Sequence, residues 1–462
     1  MSQDFNPSYA RVEEAIIESY DGNARVDLKA IVYKLEFTQS INSPVWSGSI
    51  SCLDASGMLE NESFKIRGEE KLTLSIQTYD LKLKDPIVLE AQVISVVDVK
   101  PTENLTGLSF TLNFISKISY ESGLKRVRDS YPDQKASEIA EKVFKKYFGS
   151  LSETTKPKKV KQELIPFEGK KYEISGTNGL RFYLQPTEGT MRSIIPNLLP
   201  SQTMNFLTHR SFSKNSPSCS FRFFETFDGF FYVTDEFLIQ RGVFNPQNIE
   251  VFSYNAQNSM EPDKVEMQTN TFETFSAPVR VDTANDVRQG GYRSKVFEID
   301  LGRRRVKTIN YDYIKDAKYI DMSGEKTSIK DSIHTKEYIE ETFTEDNAKR
   351  YLIFKDYYDE SGFALRANLH YPEIVQNRNA YQHHLGQTVV TASLKGRMDI
   401  RPGDIIAVKV PKFTIEQQPD KPYNEQLSGN YMIVATQTMI QDDLARTTFT
   451  LAKYDWSGDY EE

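Results

Sequence analysis

Near the start of the chain, apolar and polar residues alternate with a period of two, and this limits the local structure more than any other feature. Val26, Leu28, Ala30, Val32 and Leu35 form one such run, and Trp46, Gly48, Ile50 and Cys52 form another after Pro44. Leu72, Leu74 and Ile76 alternate with Thr73 and Ser75, and the pattern returns from Val88 to Val99 and from Leu108 to Phe114. Successive side chains of a strand point to opposite faces, so this spacing buries one face and wets the other. Asp85-Pro86 and Thr106-Gly107 break the runs. Residues 1–118 therefore read as a β-barrel or sandwich.

The period then changes. Ala136, Ile139, Ala140, Val143, Phe144, Tyr147 and Phe148 repeat at helical spacing, with Asp133 as the expected cap and Gly149 as the stop. Lys156–Lys171 holds six lysines against two glutamates and reads as a solvated loop. Ile194, Ile195, Leu198, Leu199, Met204, Phe206 and Leu207, interrupted by Pro196 and Pro200, predict a helix. That helix would lie against a hairpin turning at Asp228-Gly229, inside CSFRFFETFDGFFYV. Residues 119–250 are thus an α+β unit.

From Val251 the β character resumes, and a second helical pattern spans Pro372–Leu385. Val389–Leu394, the turn Arg401-Pro402-Gly403-Asp404 and Ile405–Val410 read as strand, turn, strand, and two more strands close the chain. Between these parts, residues 285–370 are polar and poor in apolar runs, with an Arg303-Arg304-Arg305 patch, and read as an inserted subdomain. The fold class is mainly β (α+β). The expected units are 1–118, 119–250, 251–284 with 371–462, and the insertion 285–370.

No motif for bond chemistry appears. G-x-S-x-G, Walker, G-x-G-x-x-G and H-E-x-x-H signatures are missing, and His383-His384, being adjacent, cannot chelate from one helix face. The sequence therefore points to no catalytic, cofactor or metal residue. Two cysteines, Cys52 and Cys219, are too few for a disulfide framework and are expected to pack as small apolar residues. With 57 basic and 65 acidic residues the chain carries −8, which argues against a general nucleic-acid binder. No signal peptide or membrane span is expected.

The ending TVVTASLKGRMDIRPGDIIAVKVP…LSGNYMIVATQTMIQDDLARTTFTLAKYD resembles the last barrel of the baseplate central hub proteins of contractile-tailed phages. The matching positions are Gly396, Pro402, Gly403, Asp404, Gly429, Tyr431, Thr447 and Leu451. The aromatic hairpin around Asp228-Gly229 and the Trp46-Ser47-Gly48 and Gly68-Glu69-Glu70 motifs resemble earlier parts of that family, which is related to the hub part of type VI secretion spikes. The resemblance implies two tail-tube-like β-barrels per chain and a pseudo-hexameric homotrimer. Such a ring would join a tail tube protein to a central spike protein, surrounded by baseplate wedge proteins. DNA would be only in transit through its channel. It also implies a place in the virion baseplate after assembly in the host bacterial cytoplasm. Gly229, Gly396, Pro402, Gly403, Asp404 and Gly429 are expected as structural turn positions. A receptor- or carbohydrate-binding tail component is the alternative.

Overall fold

The computed structural model describes residues 8–453 except 56, 58–63, 65, 79–85, 103–106, 149–164, 168–169, 173–181, 214–218, 244–248, 255–268, 280–281, 317–318, 321–325, 328–334, 355–370, 413–422 and 425. The first part contains β1 (Ala10–Glu18), β2 (Arg25–Asp27), β3 (Val32–Ser40), β4 (Ser47–Asp54), β5 (Lys71–Thr78), β6 (Ile87–Pro101) and β7 (Leu108–Ser116). The middle part holds α1 (Lys117–Gly123), β8 (Ser130–Lys135), α2 (Ala136–Tyr147), β9 (Ile165–Phe167), β10 (Lys170–Tyr172), β11 (Phe182–Leu184), β12 (Thr190–Ile194), α3 (Pro200–Thr208), β13 (Phe221–Thr226), β14 (Gly229–Thr234) and α4 (Asp235–Val243). Next come β15 (Glu250–Tyr254), β16 (Thr271–Phe272), β17 (Thr274–Val279), α5 (Thr283–Gln289), β18 (Arg293–Asp300), β19 (Arg305–Asp312), α6 (Tyr313–Asp316), β20 (Tyr319–Ile320), β21 (Lys326–Thr327), α7 (Lys336–Thr342) and β22 (Lys349–Phe354). The last part is α8 (Tyr371–Leu385), β23 (Val389–Lys395), β24 (Ile405–Lys409), β25 (Gly429–Gln441) and β26 (Leu444–Lys453).

The fold is mainly β, and its two barrels share one hairpin. In the first barrel the order is β1-β5-β6-β7-β4-β3, and β3 then pairs with residues 435–441 of β25. The ring closes where Tyr9 bridges Leu444, Ala10 N–H donates to Asp443 O at 3.0 Å and Ala445 N–H donates to Ser8 O at 2.6 Å. Ile440 and Ala445 from the hairpin join Leu35, Ile50, Leu74 and Phe114 in this barrel's core. In the second barrel β25 pairs with β24 through residues 429–432, β24 with β15, and β15 with β16. The chain then runs into β17, which pairs with β23, and β23 pairs with β26. The fork lies at Val434. Ile41 N–H donates to its carbonyl at 2.9 Å, and the β25–β26 register slips there. The tip Asp442-Asp443 has φ of 53° and 59°, the left-handed pair that a two-residue hairpin loop requires.

Two motifs of the first barrel have a packing reason. A Cβ at Gly48 would collide with the Phe114 ring and the Glu36 carbonyl, so β4 can approach its neighbours only without a side chain. The Glu70 carboxylate is buried and accepts from the backbone N–H groups of Arg67, Gly68 and Glu69, which shapes the entry to β5.

In the middle unit α2 buries Ile139, Val143 and Phe144 against Phe182, Phe223 and Phe230. Each such side chain is worth roughly 1.5–3 kcal/mol on burial. Two expectations need correction here. Asp133 does not cap α2, because it lies within β8 at φ 52°. The cap is Lys135, whose N–H donates to the Glu138 carboxylate. Ile194 belongs to a strand rather than a helix, and α3 begins at Pro200, where a missing N–H costs no helical bond. The Gly149 stop and most of Lys156–Lys171 lie outside the described residues.

Residues 285–370 are less coreless than their composition suggests. β18 pairs antiparallel with β19 and parallel with β22, and Tyr292, Tyr311, Tyr313, Ile339 and Phe343 pack together beneath that sheet. The helix that follows also serves this core. Ala380 of α8 packs into it, and the Gln376 amide donates to Ser294 O and Ile309 O, at 3.3 and 3.1 Å. His383 and His384 are both buried. His383 Nε2 lies 3.4 Å from Asp286 Oδ1, and His384 Nδ1 lies 2.7 Å from Tyr313 Oη. Burial, aided by His383, pushes His384 down to about 3, so its ring is neutral.

Candidate assembly surface and domain junction

The shared hairpin makes a continuous sheet, β6-β7-β4-β3-β25-β26-β23-β17, through both barrels. Its inner side chains fill the two cores, so the alternating residues form one outer face. The register sets Asn113, Ser49, Glu36, Met439, Arg446 and Lys395 side by side in one row. A neighbouring row runs Ser47, Thr38, Gln437, Thr448, Ser393 and Thr274. Short hydroxyl and amide side chains dominate. Each of these cations has a carboxylate beside it: Lys34 Nζ lies 2.7 Å from Glu36, while Arg446 and Lys395 share the Glu273 carboxylate at 3.4 Å each. Such a face offers phosphate no track of unmatched cations.

The β13–β14 hairpin tip joins the middle unit to both barrels. Phe227 packs edge-on against Trp46 and Phe37 of the first barrel, with centroids 5.3 and 5.6 Å apart, and its N–H donates to Gln39 Oε1 at 3.0 Å. Arg401, from the second barrel, places its guanidinium over the Phe227 ring and its Nε 3.2 Å from Asp228 Oδ2. Beneath the tip, Arg222 grips Asp235 with two bonds of 2.5 and 2.9 Å and also reaches Asn42.

Glu225 is 3% exposed, between the Ser116 and Ser119 hydroxyls at 2.5 and 2.7 Å. Burial pushes its carboxyl up to about 8, from 4.5, so the folded state favours the neutral acid. The unfolded chain ionises first, and stability contributed by this group is therefore full below about 4.5 and lost as pH rises through about 8. Glu225→Gln keeps one donor and one acceptor for the two serines and cannot ionise. Urea unfolding at pH 5 and pH 8.5 is expected to show a stability loss of up to several kcal/mol in the natural chain. That loss should be largely missing in the variant. Parallel losses in both proteins would remove Glu225 as the cause.

The expected turn positions fall in three places. Gly229 (φ 137°) closes the β13–β14 hairpin beside Asp228. Pro402, Gly403 and Asp404 lie against that hairpin's unit. Gly403 has φ 92° and donates its N–H to Ile433 O at 2.8 Å, and a Cβ there would press on Leu238 at 3.1 Å. Asp404 Oδ2 accepts from Arg401 N–H at 2.9 Å. The Arg401–Asp228 pair thus links Gly229 with the Pro402–Asp404 turn. Gly396 (φ 68°) and Gly429 (φ 149°) lie elsewhere in the second barrel, at the end of β23 and the start of β25. Sequence reasoning missed Glu225, Arg222 and Asp235, and placed Arg401 in its turn without its Asp228 partner. Glu225 did leave a signal, a carboxylate inside the aromatic run FRFFETFDGFF. Arg303, Arg304 and Arg305 are exposed at the β18–β19 turn and at the start of β19.

Among the described residues no cluster of three His, Cys, Asp or Glu side chains could hold a metal, and no helix is long and apolar enough to cross a membrane. No family model and no curated protein matches the sequence. Among solved structures, a tail protein from Neisseria meningitidis is 9% identical, covering 96% of this chain and 98% of its own, with a TM-score of 0.51. A prophage tail protein from Shewanella oneidensis is 8% identical over 95% and 98%, with a TM-score of 0.49. A component of the type VI secretion system of E. coli is 9% identical over 98% and 79%, with a TM-score of 0.38. The Neisseria likeness shows a shared fold over nearly the whole chain.

Proposed function

We propose that the chain is a structural hub of a contractile phage tail baseplate, a homotrimer that joins the tail tube to the central spike and surrounds a channel. The observation that carries this reading is the single sheet running through both barrels. Two barrels in each of three chains give six similar positions, which suits an adaptor between sixfold and threefold partners. Eight strands from each of three chains make a ring of 24, and at about 4.8 Å between strands this closes on a bore of about 37 Å between backbones. The hydroxyl- and amide-rich outer face would line that bore and let DNA pass without adhering.

On this reading residues 8–118, closed by the β25–β26 tip, form the first tube-like barrel, and 251–284 with 371–453 form the second. Residues 119–250 bridge them through the Phe227 tip, and 285–370 are the inserted subdomain. The wedge proteins would meet the outside of the ring. The work of the protein is interface complementarity, without bond chemistry.

Light scattering across a dilution series is expected to give a persistent species near three times 53.1 kDa. The second readout is position. Cys52 and Cys219 are buried, and burial pushes the Cys52 thiol up to about 12, so added surface cysteines can be labelled selectively. A gold-cluster maleimide on Ser49→Cys or Thr448→Cys should appear close to the particle axis in electron micrographs. Clusters on the outer perimeter, or a stable dimer, would overturn the ring.

A further inference from the structure

One face of the inserted subdomain is apolar yet uncovered among the described residues. In the β19-β18-β22 sheet, Ser294, Val296 and Tyr311 point inward to the tyrosine core. The opposite face carries Phe297, Ile299, Val306, Leu352 and Phe354, in register beside one another. Val306, Leu352 and Phe354 are 62%, 68% and 63% exposed. Three large apolar side chains clustered on one small sheet are a patch of the kind that marks an interaction site. The charge around it is lopsided. Residues 293–312 and 345–354 hold eight Lys and Arg against five Asp and Glu, a local +3 within a chain of −8, with Lys295 already paired to Glu345 at 2.9 Å. Exposed Arg303, Arg304 and Arg305 stand at one end of the sheet and Arg350 stands on β22 beside the apolar cluster.

We propose that this face docks an acidic, amphipathic segment of another protein. Its apolar side chains would cover Phe297, Ile299, Val306, Leu352 and Phe354, and its carboxylates would meet Arg350 and the Arg303–Arg305 turn. The apolar side chains occupy the middle of the face, where a nucleic acid would need cations. Two copies packed face to face would set like charges against each other, which disfavours a symmetric self-contact. The inference does not rest on the hub reading, because it uses only the subdomain's own surface.

The test uses the full chain and three probes: a short peptide alternating Glu and Leu, its Lys-Leu counterpart, and duplex DNA. The Glu-Leu peptide is expected to bind with Kd below ~100 μM and to protect residues 293–312 and 349–354 from hydrogen exchange. Leu352→Ser with Phe354→Ser, and separately Arg304→Glu with Arg350→Glu, should each weaken binding about tenfold or more, or about 1.4 kcal/mol. All four positions are exposed, and unchanged melting temperatures would confirm that the variants fold. Equal binding of the Lys-Leu peptide would overturn the proposal, as would DNA binding that survives the Leu352→Ser/Phe354→Ser change. A shift in native mass on that same change would also overturn it and assign the face to copies of this chain. The ring would fail separately, through the mass and gold-label positions of the unmodified sheet.

Discussion

A fragment of residues 1–123 is expected to lack a cooperative fold, and to gain one when a peptide covering 427–453 is supplied in excess. Within the fragment β3 and β1 become open edges, because their partners are residues 435–441 and the 443–445 turn. The core also loses Ile440, Ala445 and Met398, each almost fully buried. Those side chains are worth together roughly 3–6 kcal/mol, and seven residues of ladder pairing go with them. The sum is comparable with the 5–15 kcal/mol by which a domain is normally stable. Near-UV circular dichroism and hydrogen exchange would follow the complementation. A sharp, cooperative unfolding transition of the fragment alone would show that the first barrel closes without its hairpin.

Arg397→Ala is expected to cost about 3–5 kcal/mol, read by chemical denaturation. The guanidinium is 3% exposed, bonded to Asp399 at 2.8 and 3.0 Å, to Glu250 at 2.7 Å and to Asn270, and it lies over the Phe252 ring. Alanine would leave two carboxylates facing each other in a poorly solvated site. Arg397→Lys should recover only part of the loss, since one ammonium cannot span both carboxylates with the same fork of donors. Arg446, paired with Glu273 on the exposed sheet face, is the control and should change by no more than about 1 kcal/mol. Equal effects at the two positions would defeat the argument from burial.

Much of the local structure was legible because period and turn chemistry are local properties. Leu72, Leu74 and Ile76 point inward along β5 as their spacing predicts, and α2 follows its apolar stripe. Asp228-Gly229 turns a hairpin where such a pair should. The failures have local causes too. Asp133 has the side chain of a cap, but strand pairing with β12 claims its neighbours first. In 285–370, tyrosines supply the core, and a hydropathy reading undervalues them.

What the sequence determined by itself was the inventory: two β-rich ends, an α+β centre, glycines at tight turns and no motif for bond chemistry. Only the tertiary structure decided that the last hairpin closes the first barrel, that Phe227 stops between both barrels, and that Glu225 is buried as an acid. Those facts depend on contacts between residues far apart in the chain, such as Ser119 with Glu225, Gln39 with Phe227 and Ser40 with Ala435. Alternation fixes which side of a strand is apolar, but any apolar edge can in principle pair with any other. Choosing among the pairings takes the combined burial of the whole core, and no window of sequence contains that.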